Sequence, residues 1–352
     1  MEISKIQKNI VETDKKYVVV NSRAAVGKTA TLVERVKYLL NQGVSAYDIV
    51  VISFTRAAAE EMYKRLDNPE GLFCGTIHAY ANFLLLANGI DTTEWIQTEQ
   101  YDTLIETVME NPSYIQKVKY LILDEAQDSN ALQLSFILDT IQPENWMFFG
   151  DRNQSIYQWL GAEPDLFSDL SSINPFVTVY DLNENYRNGR SILQFAKEII
   201  RAAGPSFYDN SICKTENRGW VEQLDFSWSL IPQLIKETND DYKDWFILCR
   251  RNDEVDNVRS VLDKAGIPND TFKRSQLNLD SLSEKMDDNT VKVITIHSSK
   301  GLENKNVIVI GASRFPRGEE ICVNYVAATR AKDKLYWLTP ARKQKKKITS
   351  WE

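Results

Sequence analysis

Two segments of the chain carry residues that suit phosphate chemistry. The first is the run 21–29, which ends in Gly-Lys-Thr and follows the apolar run 17–20. A loop that leads into a helix directs backbone N–H groups and the positive end of the helix dipole at an anion. In such a loop Lys28 would reach the β- and γ-phosphates of a nucleotide, and the Thr29 hydroxyl would bind Mg²⁺. Ser22 stands where such loops usually begin with glycine, and the run taken alone also fits an ordinary strand-to-helix turn.

The second segment is the apolar run 120–123, which delivers two adjacent carboxylates, Asp124 and Glu125, to its end. A buried carboxylate pair is costly unless a cation compensates it. Asp124 would hold Mg²⁺, and Glu125 would orient and deprotonate the attacking water. Gln127 and Asp128 extend the polar cluster, which favours this interpretation over a solvated strand end. The two halves, in this order and each after a strand-like run, predict a nucleotide triphosphatase.

The elements that must position these residues follow from the hydrophobic pattern. Apolar runs alternate with stretches of helical periodicity, which is the α/β pattern of a parallel sheet with ligands at the carboxyl ends of its strands. Strands are expected at 17–20, 49–53, 119–123 and 146–149, and in a second set, beginning near Val177, at 245–249, 291–296, 306–310 and 335–338. Helices are expected at 29–41, 57–66, 189–203 and 252–265, the last stopped by Gly266 and Pro268.

Further motif-like segments occur in the order of one known family. They are 53–62 (Ser-Phe-Thr-Arg-Ala-Ala-Ala-Glu-Glu-Met), 75–78 (Gly-Thr-Ile-His), 124–128 (Asp-Glu-Ala-Gln-Asp), 150–159 (Gly-Asp-Arg-Asn-Gln-Ser-Ile-Tyr-Gln-Trp), 185–187 (Asn-Tyr-Arg), 295–303 and 325–331. From Gln7 to about Trp337 the chain resembles the UvrD/Rep family of superfamily 1 DNA helicases. The run 150–159 is a highly specific match.

The resemblance implies two RecA-like P-loop domains, each a mainly parallel sheet flanked by helices, with the ATP site in the cleft between them. The pattern of strands and helices puts the junction near residue 174, so the first domain is expected at 1–174, with a short accessory segment at 88–117. The second domain would be 175–341, with a short segment at 273–290, and a basic tail would follow at 342–352. ATP would draw the two domains together, and hydrolysis would release them.

The resemblance also assigns roles around the nucleotide. Gln7 would read the adenine, Tyr186 would stack on it and Glu303 would bond the ribose. The phosphate loop would contribute Ser22, Ala25, Gly27, Lys28 and Thr29, with the metal held by Thr29 and Asp124.

Phosphate cleavage needs positive charge, because negative charge spreads over the γ-phosphate oxygens in the transition state. Arg187 and Arg330 match the two arginine fingers of the family, and a plain surface charge is the alternative for Arg187. Gln154 would sense the γ-phosphate and link it to the DNA groove. The expected catalytic set is Lys28, Glu125, Gln154, Arg187 and Arg330.

The DNA contacts follow from the same resemblance. Phe54, Tyr157 and Trp159 fall where the family stacks bases, and aromatic rings accept any base. Phosphate or base contacts would come from Thr55, Thr76, His78, Thr295 and His297. A lone aromatic residue packs more often in a core, but Tyr157 and Trp159 lie in a polar stretch. A zinc site at the two histidines has no support, because no Cys lies in ligand spacing.

Two departures from the family matter for function. Segments 88–117 and 273–290 replace two large accessory insertions, which in the family contact duplex DNA and regulate unwinding. Translocation is therefore expected, and strand separation without help stays open. In the phosphate loop, the family's glycines are replaced by Arg23 and Ala25, and the arginine after the loop threonine is Ala30, which predicts weaker ATP binding.

The leading hypothesis is an ATP-dependent single-stranded DNA translocase or DNA helicase, moving 3′→5′ by resemblance. The alternative is an ATP-gated DNA-binding module without independent unwinding activity. ATP and Mg²⁺ are the expected cofactors. Expected partners are single-stranded DNA, single-/double-strand junctions and an accessory or loading protein, with a monomer in solution. Stacking platforms alone do not separate DNA from RNA, and no extra acidic cluster with a lysine supports a nuclease.

Composition sets the outer limits. The 352 residues allow two domains with substantial cores. No apolar stretch approaches ~20 residues and the first residues lack a signal-peptide pattern, so a cytoplasmic location is expected, in a bacterium or a virus-infected host cell. Four scattered cysteines argue against a disulfide framework. The net charge of −7 requires a local groove for DNA, and the basic run in 342–347 fits a solvated end better than an auxiliary DNA contact.

Overall fold

The computed structural model of the chain describes residues 3–205, 207–238, 240–272, 285–313 and 316–340. The helices of eight or more residues, with three shorter ones that matter here, are α1 (Lys5–Val11), α2 (Lys28–Asn41), α3 (Arg56–Arg65), α4 (Ile77–Ala87), α5 (Thr93–Gln97), α6 (Tyr101–Glu110), α7 (Ala131–Ser135), α8 (Pro164–Ile173), α9 (Arg190–Arg201), α10 (Leu230–Glu237), α11 (Asn252–Lys264) and α12 (Glu319–Ala328). The strands are β1 (Tyr17–Ser22), β2 (Ile49–Ile52), β3 (Phe73–Gly75), β4 (Tyr120–Leu123), β5 (Asn145–Gly150), β6 (Val177–Leu182), β7 (Glu184–Asn185), β8 (Ile212–Cys213), β9 (Trp220–Asp225), β10 (Trp245–Cys249), β11 (Asn269–Phe272), β12 (Val291–Thr295), β13 (Asn304–Ile310) and β14 (Ala331–Thr339).

The first compact unit comprises the chain up to Tyr186 together with Asp209–Lys214. Its six-stranded sheet has the order β3-β2-β4-β5-β1-β6, and all neighbouring strands are parallel. Alternate residues of β1 enter two different cores: Val19 packs with residues of α4 and α6, and Val18 packs with residues of α1 and α2. Helices therefore cover both faces, which explains why these strands read as continuous apolar runs.

The second compact unit comprises Arg187–Tyr208 and the chain from Thr215 onward. Its six-stranded sheet has the order β11-β12-β10-β13-β14-β9, again with parallel neighbours. Trp245 and Ile247 pack with α10 and α11 in one core. On α9, the Phe195 ring meets Trp337 of β14 edge-on, with 5.2 Å between ring centroids.

The predicted fold class is confirmed: the protein is α/β, with two parallel sheets flanked by helices. The strands and helices expected from the sequence all form, with ends shifted by a few residues. The accessory segment 88–117 contains α5, α6 and a 3-10 turn at Pro112–Tyr114. None of the helices in the described ranges combines the length and the apolar character needed to cross a membrane. Residues 273–284 and the basic tail lie outside the described ranges.

The border expected at residue 174 is wrong. Strand β6, which was expected to open the second domain, pairs in parallel with β1 and forms the edge of the first sheet. The division between the units falls after Tyr186. Residues 209–214 also return to the first unit, where β8 pairs with β7. The chain therefore passes between the two units at three points.

Candidate nucleotide and DNA site

The phosphate loop connects the end of β1 at Ser22 to the start of α2 at Lys28. Its turn needs a left-handed backbone at two positions, Ala25 with φ +62° and Gly27 with φ +77°. Gly27 also faces a close neighbour, because a Cβ there would lie 2.8 Å from Nε2 of Gln7. The loop keeps its shape without a glycine at position 25, at a strain of about 1–2 kcal/mol for the alanine.

Lys28 joins the two predicted halves of the site. Its Nζ lies 3.1 Å from Oδ1 of Asp124 and also contacts Oε1 of Glu125. Burial opposes the charge on Lys28, but the two carboxylates outweigh it and raise the pKa of that amine. Burial likewise raises the pKa of Asp124, although Lys28 pulls it down. The two carboxylates and one cation form a compact, largely buried cluster at the carboxyl ends of β1 and β4.

Glu125 is held in a strained conformation by its neighbours. Its φ is +53°, a region that costs a non-glycine residue about 1–3 kcal/mol. Its N–H donates to Oδ1 of Asp124 at 3.0 Å, and Nε2 of Gln127 donates to its carboxylate. Strain at a residue with a predicted catalytic role, held by hydrogen bonds from both sides, is typical of a preorganised site.

Asp151 lies at the centre of a buried network beside this cluster. Its Oδ2 accepts from Nε2 of Gln154 at 2.8 Å, and its Oδ1 lies 3.3 Å from Nη1 of Arg23. Its N–H donates to Oε1 of Gln127 at 3.0 Å. Burial raises the pKa of Asp151, although Arg23 opposes the shift. Gln154 thus lies two contacts away from the phosphate loop.

The residues expected to hold the base flank the same loop. Gln7 completes the capping box of α1, where its Oε1 accepts from the N–H of the N-cap residue Ser4 at 2.9 Å. Its Nε2 lies 3.5 Å from the Val26 carbonyl oxygen. The N–H of Tyr186 donates to the Ala25 carbonyl at 3.0 Å. The Tyr186 side chain is 48% exposed, so a ring suited to stacking lies beside the phosphate loop.

The remaining residues that were predicted to act on the nucleotide belong to the second unit. Arg187 contacts the Glu303 carboxylate, and Nζ of Lys332 lies 2.8 Å from its other oxygen. Burial would raise the pKa of Glu303, but these cations outweigh it and lower that pKa. Arg330 is only 2% exposed, and its Nε donates to the Val326 carbonyl at 3.0 Å. Glu303 and Arg187 are thus brought together, whereas Arg330 is held inside the unit.

Two of the expected DNA contacts are helix N-caps. The Thr55 hydroxyl accepts from the Ala58 N–H at the start of α3, and the Thr76 hydroxyl accepts from the Ala79 N–H at the start of α4. Helix N-termini direct N–H groups at phosphates. This geometry suits both threonines for backbone contacts.

Aromatic rings lie beside these helix ends. The rings of Phe54 and Tyr157 stack with 5.0 Å between centroids, and Trp159 is 54% exposed. A cavity of about 260 Å³ extends from Phe54 and His78 to Asp124 and Glu125. Within the first unit, Phe54, a predicted stacking residue, and Glu125, a predicted catalytic residue, therefore border the same cavity.

The other histidine and threonine lie in the second unit. Thr295 ends β12 and is buried, and its hydroxyl donates to Oγ of Ser298 at 2.9 Å. His297 begins the 3-10 turn that follows. The Thr295 hydroxyl thus stabilises the turn that presents His297, an arrangement that the sequence motif did not reveal.

Comparison with known families agrees with this geometry. Residues 7–159 match the model of an AAA domain, and residues 269–341 match the model of the UvrD-like helicase C-terminal domain. The chain belongs to the UvrD/Rep-like superfamily 1 helicases. A probable DNA helicase of Mycoplasma pneumoniae is 24% identical over 94% of this chain and 82% of the relative. The ATP-dependent DNA helicase Rep of one Buchnera aphidicola strain is 30% identical over 43% of this chain. The ATP-dependent DNA helicase PcrA of Staphylococcus epidermidis is 25% identical over 55% of this chain.

This UvrD-like chain is compact beside these relatives. It spans 24% of that Rep protein and 39% of that PcrA protein. The alignment with the Mycoplasma relative runs over 459 positions, more than the 352 residues of this chain. That relative therefore carries internal segments that have no counterpart here, in agreement with the short accessory segment.

Two residues of this UvrD-like site had no role assigned from the sequence. In the sequence, Arg23 only replaces a family glycine, and Asn185 is only part of a motif. The structure gives Arg23 a buried carboxylate partner in Asp151, and the Asn185 amide donates to the Ala24 carbonyl at 3.0 Å. A charged residue inside a phosphate loop is a signal for a buried counter-charge, but the sequence does not say which carboxylate supplies it.

Proposed function

We propose that this chain is an ATP-driven motor on DNA. It hydrolyses ATP, binds single-stranded DNA, moves along it in the 3′→5′ direction and separates DNA strands at junctions. One observation carries the proposal: Nζ of Lys28 lies against both Asp124 and Glu125. The residues proposed to bind phosphate and to activate water thus form one cluster. Membership of the UvrD-like family supports DNA as the polymer on which the motor acts.

In this proposal each group of the cluster acts on a different part of ATP. Lys28 leaves the carboxylates to bind the β- and γ-phosphates, which carry more negative charge. Glu125 accepts the proton of the attacking water, and its bond from Gln127 fixes the orientation of the carboxylate. Arg187, a predicted arginine finger, supplies positive charge to the γ-phosphate during cleavage. Arg330 has the same predicted role, although its guanidinium is buried and bonded within its own unit.

The same cluster fits a magnesium ion that arrives with the nucleotide. In the described part of the chain, no group of three or more His, Cys, Asp or Glu could hold a metal by itself. Mg²⁺ needs fewer protein ligands, because it binds through one or two carboxylates together with phosphate oxygens and water. Asp124 and the Thr29 hydroxyl would hold it, and the ion would neutralise charge on the β- and γ-phosphates.

The DNA part of the proposal is supported by the first unit. The capped N-termini of α3 and α4 offer N–H groups to the DNA backbone, and the Phe54–Tyr157 pair offers ring faces to bases. The cavity between these groups and Glu125 gives a short physical connection from DNA to the catalytic carboxylates. Neither the helix N-termini nor the ring pair reads a base sequence, which suits a protein that moves along any strand.

ATP turnover with and without single-stranded DNA tests the activity. We expect strong stimulation by DNA, loss of turnover in Lys28→Ala, and a loss of at least about 100-fold in Glu125→Gln with ATP binding retained. Glu144→Gln serves as a control, since Glu144 forms an exposed pair with Lys117 before β5. Equal turnover with and without DNA would contradict the motor.

Direction and unwinding need separate substrates. We expect displacement of streptavidin from the 5′ end of a strand, not the 3′ end, and unwinding of duplexes with a 3′ tail. Sedimentation tests the proposed monomer. If unwinding needs an accessory or loading protein, addition of that protein restores it while translocation is unchanged.

A second candidate is an ATP-gated DNA-binding module without independent unwinding. The small accessory segment, which contains α5 and α6, and the strained Ala25 favour it. It predicts nucleotide-dependent DNA affinity with no streptavidin displacement at either end. Processive movement on a labelled strand excludes this candidate.

A further inference from the structure

Arg23 occupies the phosphate loop but directs its guanidinium into the first unit. The residue is 8% exposed. Its Nη1 lies 3.3 Å from Oδ1 of Asp151, and its Nε donates to Oδ1 of Asn210 at 3.3 Å. Its N–H donates to the Leu182 carbonyl at 3.1 Å. Backbone and side chain together tie this part of the loop to three other segments of the unit.

Asp151, the partner of Arg23, is itself held in place by burial and hydrogen bonds. Asp151 is fully buried, and its Oδ1 also accepts from the Asn153 N–H at 3.1 Å. Its Oδ2 accepts from Nε2 of Gln154 at 2.8 Å. A buried carboxylate needs a counter-charge and hydrogen bonds to stay ionised. Arg23 supplies the charge on one oxygen, and the other oxygen holds the Gln154 side chain.

We infer that Arg23 is a positioning residue that sets Gln154 through Asp151. The inference rests on the proposed function, in which Gln154 senses the γ-phosphate. Removal of the guanidinium would leave Asp151 without its charge partner, and the carboxylate would then take a proton or turn toward water. Either change alters the bond to Gln154, so the amide loses its fixed orientation toward the reacting phosphate.

Two other roles for Arg23 make different predictions. A guanidinium that contacts ATP phosphates directly would contribute to nucleotide binding and act independently of Gln154. A guanidinium that only stabilises the fold would change the melting temperature and leave turnover of the folded protein intact. A positioning residue instead lowers kcat, changes nucleotide affinity little, and shows no added effect once its target is removed.

The experiment compares Arg23→Lys, Arg23→Gln and Arg23→Ala with Gln154→Ala and the double variant Arg23→Ala/Gln154→Ala. Arg65→Ala is the matched control, because Arg65 forms an i,i+4 pair with Glu61 at the end of α3. The readouts are kcat and KM for ATP, with and without single-stranded DNA, and the Kd of a fluorescent ATP analogue. The melting temperature is measured for every variant.

We expect Arg23→Ala and Arg23→Gln to lower kcat by about 10- to 100-fold, the range for a misplaced catalytic group. The Kd should change by less than about threefold, since the loss falls on a transition-state contact. Arg23→Lys should recover part of kcat, because it keeps a charge beside Asp151. The double variant should equal Gln154→Ala. If Arg23→Ala does not fold, the Lys and Gln variants give the same comparison.

Three results would overturn the inference. A raised Kd with unchanged kcat assigns Arg23 to nucleotide binding. If the kcat losses of the two single variants multiply in the double variant, Arg23 acts independently of Gln154. An unchanged kcat with a lower melting temperature leaves only a folding role. These results differ from failure of the motor: hydrolysis in the parent protein without DNA stimulation refutes the motor and leaves the Arg23 comparison intact. A parent protein with no hydrolysis at all refutes both.

Discussion

The side-chain amide of Asn185 donates a 3.0 Å hydrogen bond to the carbonyl oxygen of Ala24, in the middle of the phosphate loop. The next residue, Tyr186, donates its N–H to Ala25 of the same loop. Two residues further on, Asn188 donates to the carbonyl oxygens of Thr329 and Ala331. Asn185 thus bonds to the phosphate loop within the first unit. Asn188 bonds to both neighbours of Arg330 within the second unit.

Asn185→Ala should weaken nucleotide binding. The substitution leaves the buried Ala24 carbonyl without this donor, which costs about 1–3 kcal/mol, and the loop can then leave its binding conformation. We expect the Kd for an ATP analogue to rise about fivefold to tenfold. Asn145→Ala is the control, because Nδ2 of Asn145 makes the same kind of bond to the Lys119 carbonyl at the start of β5. Equal Kd values for the two variants would contradict the role of Asn185.

Ala25→Gly should stabilise the loop. Glycine relieves about 1–2 kcal/mol of strain at φ +62°, whereas its greater freedom in the unfolded chain costs about 0.4–1 kcal/mol. We expect a small rise in the melting temperature and tighter binding of ATP. Ala24→Gly is the matched control, because Ala24 has no positive φ and should only lose stability. A destabilised Ala25→Gly protein would show that the strain is not relieved in this way.

Glu303 makes stability of the second unit depend on pH. Its pKa is lowered from the ordinary 4.5, since Arg187 and Lys332 outweigh the effect of burial. Its ionised form therefore adds stability in full above pH 4.5, and that stability is lost as the pH falls through the lower folded value.

Glu303→Gln should accordingly melt at a lower temperature than the parent protein at about pH 7, and the difference should shrink at about pH 3. Glu216→Gln is the control, because Glu216 is exposed. It should leave the melting temperature unchanged at both pH values. Thermal unfolding at several pH values measures the difference. A gap of constant size from neutral to acid pH would mean that the Glu303 charge does not contribute.

The sequence predicts most of the first unit because its strands are buried on both faces. The runs 17–20 and 120–123 are recognisable one by one, and parallel strands bring their carboxyl ends to one edge, so Lys28 and Asp124 could be expected to meet. The border at residue 174 failed for a different reason. Strand β6 is partly exposed, and its place is decided by pairing with β1, where Val179 lies opposite Val19. Such long-range pairing leaves no local sequence signal.

The same limit applies to contacts between distant side chains. Arg23 and Asp151 lie 128 residues apart in the sequence, and neither residue type specifies the other. His78 could be assigned to DNA by its motif, but its contact with the short accessory segment could not. Nε2 of His78 lies 3.3 Å from Oδ1 of Asp102, in the first turn of α6.

Asp102→Asn should strengthen binding of single-stranded DNA. In the proposed contact of His78 with a DNA phosphate, the Asp102 carboxylate, 3.3 Å from Nε2 of His78, would compete for the imidazole and repel the phosphate. An exposed pair of this kind contributes about 0.2–1 kcal/mol, which corresponds to a gain of up to about fivefold in affinity. The gain should be larger at low salt, because salt screens exposed charges.

Glu106→Gln, one turn further along α6, is the matched control and separates this contact from a general loss of negative charge. Fluorescence anisotropy with a labelled oligonucleotide at two salt concentrations measures the effect. Equal gains in both variants would refute direct competition at His78.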